Sequence, residues 1–205
     1  MADLSAGADA RSVVLARIRA ALGSNAAAPD VPRDYRRADA SAPGDLELLA
    51  DRLLDYKATV VHTTADGLAA DLAKAIDGIS PLVVPPGLPF AVPGATVDDG
   101  TLDATALDGF AGVVTGCAAA VAETGTIALD GSPDQGRRAI TLVPDRHYCV
   151  VRADQVVQTV PDLLARLTPT RPLTLISGPS ATSDIELDRV EGVHGPRTLV
   201  VFLVR

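Results

Sequence analysis

The chain has 205 residues, a length that fits one domain with a sizeable core. Acidic residues outnumber basic ones by 26 to 18, and the net charge of -8 argues against nucleic acid and anionic membranes as main partners. Only 3% of the residues are aromatic and Trp is absent, so Ala, Val, Leu and Ile must build the core.

The first 45 residues predict a helix followed by an extended connection. Apolar residues recur at every fourth position up to Leu22, which predicts an amphipathic helix within residues 1 to 22 that ends at Gly23. Residues 23 to 45 are rich in Pro and Ala and lack periodicity, so we expect a flexible connection, with a lid over a cleft as the alternative. Residues 46 to 205 then predict a single α/β domain.

Hydrophobic periodicity within this domain predicts alternating elements. The expected helices lie at residues 46–54, 68–76 and 163–167, the expected strands at 58–62, 82–84, 110–115, 126–129, 139–143, 148–151, 173–176 and 198–204, with a helical or turn segment at 117–122. Strands that are apolar throughout and alternate with helices indicate a mostly parallel sheet covered on both faces. We therefore expect a three-layer α/β sandwich with a mostly parallel mixed sheet.

The cysteines and the amino-terminal sequence indicate what cofactor and which cellular location to expect. Cys117 and Cys149 are the only cysteines, and their apolar neighbours predict buried thiols without a disulfide. Two cysteines cannot hold a conventional four-cysteine iron–sulfur cluster, so we expect no such cofactor in this chain. Neither a signal-peptide pattern nor an apolar stretch of about 18 residues occurs, which predicts a cytoplasmic protein without a membrane span.

A polar loop between the last two predicted strands is a candidate site. Gly178 allows close approach or positive φ, and Pro179 fixes φ. The side chains of Ser180, Thr182 and Asp184 suit the cap of a helix that follows, and its free N–H groups could bind an anion. A well-capped turn without a ligand is the alternative.

A second candidate is the carboxylate of Glu123, which lies between small residues where a strand is predicted to begin. It could act as nucleophile, general base or hydrogen-bond acceptor, or it could simply cap a turn or pair with an arginine. Thr124 and Thr126 would add hydroxyl groups, and Gly125 an unobstructed backbone N–H.

Two histidines are candidates for proton transfer. His147 precedes a predicted strand, where either a proton carrier or a structural role is possible. His194 is the sharper candidate because Gly195 and Pro196 follow it and would fix its direction. Neither histidine belongs to an HxH or HExxH array, so we expect no metal site.

Four of these segments resemble, in order and spacing, the lactate utilization protein C family, whose characteristic unit is the LUD domain. They are residues 122–126, 142–147, 177–186 and 192–197, and the resemblance covers about residues 110 to 204. It implies a fold similar to the superfamily of ribose phosphate isomerase, glucosamine phosphate deaminase and CoA-transferase. Members of that superfamily bind phosphorylated or CoA-linked ligands at the carboxyl ends of strands.

The resemblance also implies a function: a bacterial cytoplasmic subunit for oxidation of L-lactate to pyruvate, acting with two partner subunits that carry iron–sulfur clusters. By analogy of fold, Glu123 would lie near the loop that begins at Ser177, with His194 and Arg197 opposite. Arg197 and the loop N–H groups would hold a small carboxylate, phosphate or CoA-like ligand, while His147 or His194 moves a proton.

Two other functions remain open on sequence alone. One is an independent acyl- or CoA-transferring enzyme in which Glu123 forms a covalent acyl intermediate. The other is a non-catalytic assembly subunit. Whether the chain is itself an enzyme therefore stays undecided at this level.

Overall fold

The computed structural model describes residues 9–23, 29–39, 43–179, 181–182, 190–191 and 194–205, the side chains of 181, 182, 190 and 191 excepted. Ser180, Asp184, the side chain of Thr182 and the helix predicted to follow them lie outside the described part. The chain divides into two compact units, Met1–Tyr35 and Arg36–Arg205.

The elements of the described residues follow the predicted order closely. The helices are α1 (Ala10–Leu22), α2 (Leu46–Asp55), α3 (Leu68–Ala75), α4 (Ala104–Asp108) and α5 (Val160–Arg166). The strands are β1 (Thr59–Thr63), β2 (Leu82–Val84), β3 (Thr96–Val97), β4 (Gly112–Thr115), β5 (Ala119–Val121), β6 (Thr126–Leu129), β7 (Arg146–Arg152), β8 (Val156–Val157), β9 (Thr174–Ile176), β10 (Ala181–Thr182), β11 (Val190–Glu191) and β12 (Thr198–Val204).

Helix α1 lies in the first unit. The Asp9 side chain accepts a hydrogen bond from the backbone N–H of Arg11, and Gly23 ends the helix with a φ of 70°. Positive φ costs glycine little, which explains the stop predicted at this residue. All of the helix's apolar side chains are at least partly exposed, because none of its residues is buried.

The second unit is built on a six-stranded sheet in the order β1-β12-β7-β4-β2-β3, in which every pairing is parallel. Alternate side chains of β7 and β12 point to opposite faces. One set, which includes Cys149 and Val201, packs with α2; the other, which includes Val150 and Phe202, packs with α3. The α/β sandwich expected from sequence is thereby confirmed.

A smaller sheet shares the α2 face of the large sheet. Its order is β8-β5-β6-β9, with β5 parallel to β8 and antiparallel to β6, and β9 antiparallel to β6. Ala120 and Ile127 of this sheet belong to the same buried cluster as Leu199. Residues 177–179, which follow β9, lie near Leu199 in the amino-terminal part of β12.

Two local predictions were wrong. Residues 117–122, expected as a helical or turn segment, contain β5, because pairing with two strands outweighs the helix propensity of alanine. Residues 139–143, expected as a strand, include a 3₁₀ turn at Arg138–Thr141. Ile140 in that turn packs with Leu107 of α4 and with Val83 and Val113 of the large sheet.

Two further expectations are consistent with the structure. Cys117 and Cys149 are free thiols, and both are buried. Within the described ranges, no helix combines the length and apolar character needed to cross a bilayer.

Candidate functional site

A cavity of about 210 Å³ lies beside the amino ends of β7 and β12. We call it the His147 cavity; it is lined by Arg138, Thr141, His147, Thr174, Leu175, Ile176, Ser177, Gly178, Pro179, His194, Pro196 and Leu199. The structure thus brings together four of the predicted site residues. They are His147, Gly178, Pro179 and His194.

The strands that border the cavity reach it with different ends. His147 and Leu199 are the second residues of β7 and β12, so the cavity lies at the amino ends of these strands. At β9 the cavity lies at the carboxyl end, because it is lined by the residues 177–179 that follow this strand.

His147 is buried and carries no charge near neutral pH. Its Nε2 lies 2.7 Å from the hydroxyl oxygen of Thr115, and that hydroxyl donates to the backbone carbonyl of Gly116 at 2.8 Å. Because the threonine proton is already used, Nε2 is left to donate, and Nδ1 keeps its lone pair. Burial, and secondarily the nearby Arg138 charge, lower the pKa of His147 to about 4.

Arg138 is the functional candidate that the sequence interpretation missed. It lies in the 3₁₀ turn and donates from Nη1 to the carbonyl and hydroxyl oxygens of Thr141, at 2.8 and 3.0 Å. Desolvation lowers the pKa of its guanidinium. No carboxylate of the described residues lies within 4.0 Å of it, whereas its neighbour Arg137 binds Asp98 through two nitrogens. Arg138 therefore presents to the His147 cavity a positive charge that no carboxylate of the described residues neutralises.

Glu123 does not line the His147 cavity but a separate cleft of about 470 Å³, with Thr124, Arg52, Asp55 and Tyr56. Its carboxylate is partly exposed and accepts a hydrogen bond from Arg36 at 2.7 Å. Both residues belong to the second unit, so this ion pair lies within it.

A short wall of hydroxyl groups links the Glu123 turn to the loop after β9. Thr124 donates to the hydroxyl of Thr126, and that hydroxyl lies 2.8 Å from the hydroxyl oxygen of Ser177. These three polar side chains therefore hold the cleft of Glu123 and the His147 cavity next to each other without merging them.

Two glycines let the same wall approach the end of α2. A Cβ on Gly125 would lie 2.8 Å from Cβ of Arg52, and one on Gly178 would lie 2.6 Å from Cβ of Tyr56. Both glycines also have positive φ, of 62° and 83°. Glycine is required at these positions by close packing and by backbone conformation.

Arg197, predicted to hold the ligand, is instead ion-paired to Asp145 at 2.6 Å and lines neither cavity. This guanidinium holds the pKa of the Asp145 carboxyl below its usual range. Gly195, between His194 and Pro196, has a φ of 123°.

Comparison with known proteins identifies the family. The chain is 50% identical over 169 residues to lactate utilization protein C of Deinococcus radiodurans, an alignment that spans 78% of this chain and 79% of that protein. The model of the LUD domain matches residues 106–204. The chain belongs to the lactate utilization protein C family.

Other members of the family are more distant. Lactate utilization protein C of Bacillus subtilis is 34% identical over 41% of this chain and 38% of its own length. A crystal structure of a DUF162 family protein from Deinococcus radiodurans is 41% identical, covers 78% of this chain and 96% of that one, and superposes with a TM-score of 0.66. The family resemblance and the fold class expected from the motifs are thereby confirmed.

Proposed function

We propose that this chain works in lactate utilization as a subunit of an iron–sulfur-dependent system that oxidises L-lactate to pyruvate. The observation that carries the proposal is the half-identical lactate utilization protein C, which aligns over most of both chains. The iron–sulfur clusters belong to two partner subunits. This chain does not suit a four-cysteine cluster, because its only two cysteines are both buried.

The His147 cavity supports binding of a small carboxylate. Arg138 supplies a guanidinium without a carboxylate partner among the described residues, and such a group binds a carboxylate through charge-assisted hydrogen bonds. With the lactate carboxylate on Arg138, the hydroxyl at C2 would lie in the same small cavity as His147.

The protonation state of His147 suits the first proton transfer. Its pKa of about 4 keeps the ring neutral at pH 7, so Nδ1 can accept the hydroxyl proton. Conversion of lactate to pyruvate releases two electrons and two protons in all. Iron–sulfur clusters of the partner subunits would accept the two electrons, His147 would take the hydroxyl proton, and the C2 proton would pass to a base outside this chain. The role of this chain is thus to bind and orient the substrate.

A pull-down combined with a binding measurement tests the proposal. The tagged protein from its host grown on L-lactate should co-purify with two cysteine-rich partners, and the purified protein should bind L-lactate in a calorimetric titration. Arg138→Gln should weaken binding by about 10- to 100-fold, because one charge-assisted pair is lost. Arg152→Gln is the matched control, since that arginine is exposed and pairs only with exposed Asp154 among the described residues. A protein that co-purifies with no partner and does not bind L-lactate would contradict the proposal.

The acyl-transfer alternative has less support. Glu123 would have to leave its ion pair with Arg36 to attack an acyl group, and it lies outside the cavity that holds Arg138. A mass increase on the Glu123 peptide after incubation with an acyl-CoA would favour that alternative instead.

A further inference from the structure

A second, larger cavity adjoins the His147 cavity. It measures about 790 Å³, and three residues, Arg138, Thr141 and Thr174, line both cavities. We call it the proline cavity, because Pro86, Pro133 and Pro172 line it together with Leu129. The two cavities therefore meet at these three residues.

The volumes of the two cavities indicate how large a ligand each can enclose. Pockets that enclose a whole organic ligand typically measure about 300 to 1,000 Å³. The His147 cavity, at about 210 Å³, is smaller than this range, and the proline cavity, at about 790 Å³, falls within it. A molecule as small as lactate would leave the proline cavity unused.

The charges around the proline cavity indicate where an anionic group can bind. Arg137 is neutralised by Asp98, through contacts of 2.7 and 2.8 Å. Arg171 donates to Asp130 at 2.8 Å and to the hydroxyl of Ser132. Among the described residues that line the two cavities, Arg138 is the one arginine with no carboxylate within 4.0 Å. An anionic group is therefore best placed at the junction.

The rest of the proline cavity favours an uncharged group. Asp99 on its wall carries a negative charge, and hydrogen bonds from Thr101 lower the pKa of this carboxyl. A second anionic group on the ligand would be repelled there. The rigid proline rings and Leu129 offer flat apolar surface, which suits an aromatic or branched hydrocarbon group.

We propose that the site takes 2-hydroxy carboxylates whose side chain is larger than the methyl group of lactate. The carboxylate binds Arg138 at the junction, the hydroxyl points toward His147, and the uncharged side chain occupies the proline cavity. This inference rests on the proposed role of the His147 cavity as the substrate site. It adds a second compartment that decides which 2-hydroxy acid fits.

Calorimetric titration of the full-length protein with L-lactate and with L-3-phenyllactate tests the inference. Burial of the phenyl group should make phenyllactate bind about tenfold tighter or more. Pro86→Trp should fill the proline cavity from its rim, where the adjacent Gly87 is held against Pro133 by a backbone hydrogen bond of 2.9 Å. Pro89→Trp is the matched control, because Pro89 is an exposed proline of the same loop that does not line the cavity.

The expected result is a loss of about tenfold in phenyllactate affinity in Pro86→Trp, with lactate affinity unchanged within about twofold, and no change of either in Pro89→Trp. Lactate binding without any preference for phenyllactate overturns the inference and leaves the proposed function standing. So does phenyllactate binding that is insensitive to Pro86→Trp. If neither acid binds, and Arg138→Gln is indistinguishable from wild type, then the proposed substrate site is wrong and so is this inference.

Discussion

Acidification from pH 7 to pH 4 should destabilise the folded protein through His147. The ring is buried, and its pKa in the folded state is about 4, whereas an unfolded histidine titrates near 6.5. Below pH 6.5 the unfolded chain takes up a proton that the folded chain does not, so the free energy of unfolding falls with pH. The contribution of neutral His147 is complete above pH 6.5 and is lost progressively down to about pH 4.

The size of the effect follows from the gap between the two pKa values. A gap of about 2.5 pKa units corresponds to about 3 kcal/mol of unfolding free energy across this pH range. The carboxylates with shifted pKa values either change stability outside this pH range or contribute equally to wild type and variant. The lowered pKa values of Asp98, Asp130 and Asp145 make these carboxylates lose their contribution only below about pH 4. Asp134, whose pKa is raised by burial, acts in the opposite direction in every variant alike.

Urea unfolding at several values between pH 7 and pH 4 measures this loss directly. His147→Gln keeps a donor for the Thr115 hydroxyl but cannot titrate, so the variant should lose far less stability than wild type over the range. The same pH dependence in both proteins would refute the reasoning, because it would show that the ring is not held neutral by burial. A smaller starting stability of the variant would not affect this comparison of slopes.

Three further predictions concern packing and ion pairs, each read as a change in the urea midpoint. Gly178→Ala should lower the free energy of unfolding by about 2 kcal/mol or more, because its Cβ would lie 2.6 Å from a neighbouring carbonyl oxygen. Gly94→Ala, which has a similar φ but open space around it, should lower it by only about 1 kcal/mol. Equal losses would refute the packing argument. Asp98→Ala should lower the free energy of unfolding by about 2 kcal/mol, because it removes two charge-assisted hydrogen bonds of a buried carboxylate. Asp154→Ala, at an exposed ion pair, should lower it by less than about 0.5 kcal/mol. The reverse order of the two losses would contradict this prediction. Arg36→Ala removes an exposed ion pair and should change stability by less than about 1 kcal/mol, so a larger loss would mean that the segment before α2 contributes more than its contacts show.

Much of the fold could be predicted from the sequence, since apolar runs bounded by Gly and Pro predict buried strands well. The segments at 82–84, 126–129 and 198–204 were predicted with the observed bounds. The two local errors have a common cause: whether a short apolar run becomes strand, turn or helix depends on partners distant in sequence. Strand β5 exists because β6 and β8 flank it, and no local pattern records that.

The site could be predicted only in part, because its contacts also join residues that are distant in sequence. The motifs indicated His147, Gly178, Pro179 and His194, and the structure places all four around one cavity. Arg138 escaped notice because it lies just before the segment interpreted as a strand. Its significance comes from what surrounds it: Arg137 has Asp98 as a partner, whereas Arg138 has no such carboxylate among the described residues, and only the folded chain shows this.

The carboxylate of Glu123 shows the limit of reasoning by analogy of fold. Analogy placed it near the loop that begins at Ser177, and the hydroxyl groups of Thr124 and Thr126 do connect the two. The side chain itself, however, points to a different cleft and pairs with Arg36. Glu123 is thus connected to the loop that begins at Ser177 but does not line the cavity that contains His147.

The most direct test of the proposed role is lactate-dependent dye reduction by the co-purified assembly, measured with wild-type chain, with Arg138→Gln and with the control Arg152→Gln. The account predicts full activity for wild type and control, and a loss of about tenfold or more for Arg138→Gln with the partner subunits still bound. Undiminished reduction by an intact assembly that carries Arg138→Gln would contradict the claim that this chain binds the substrate.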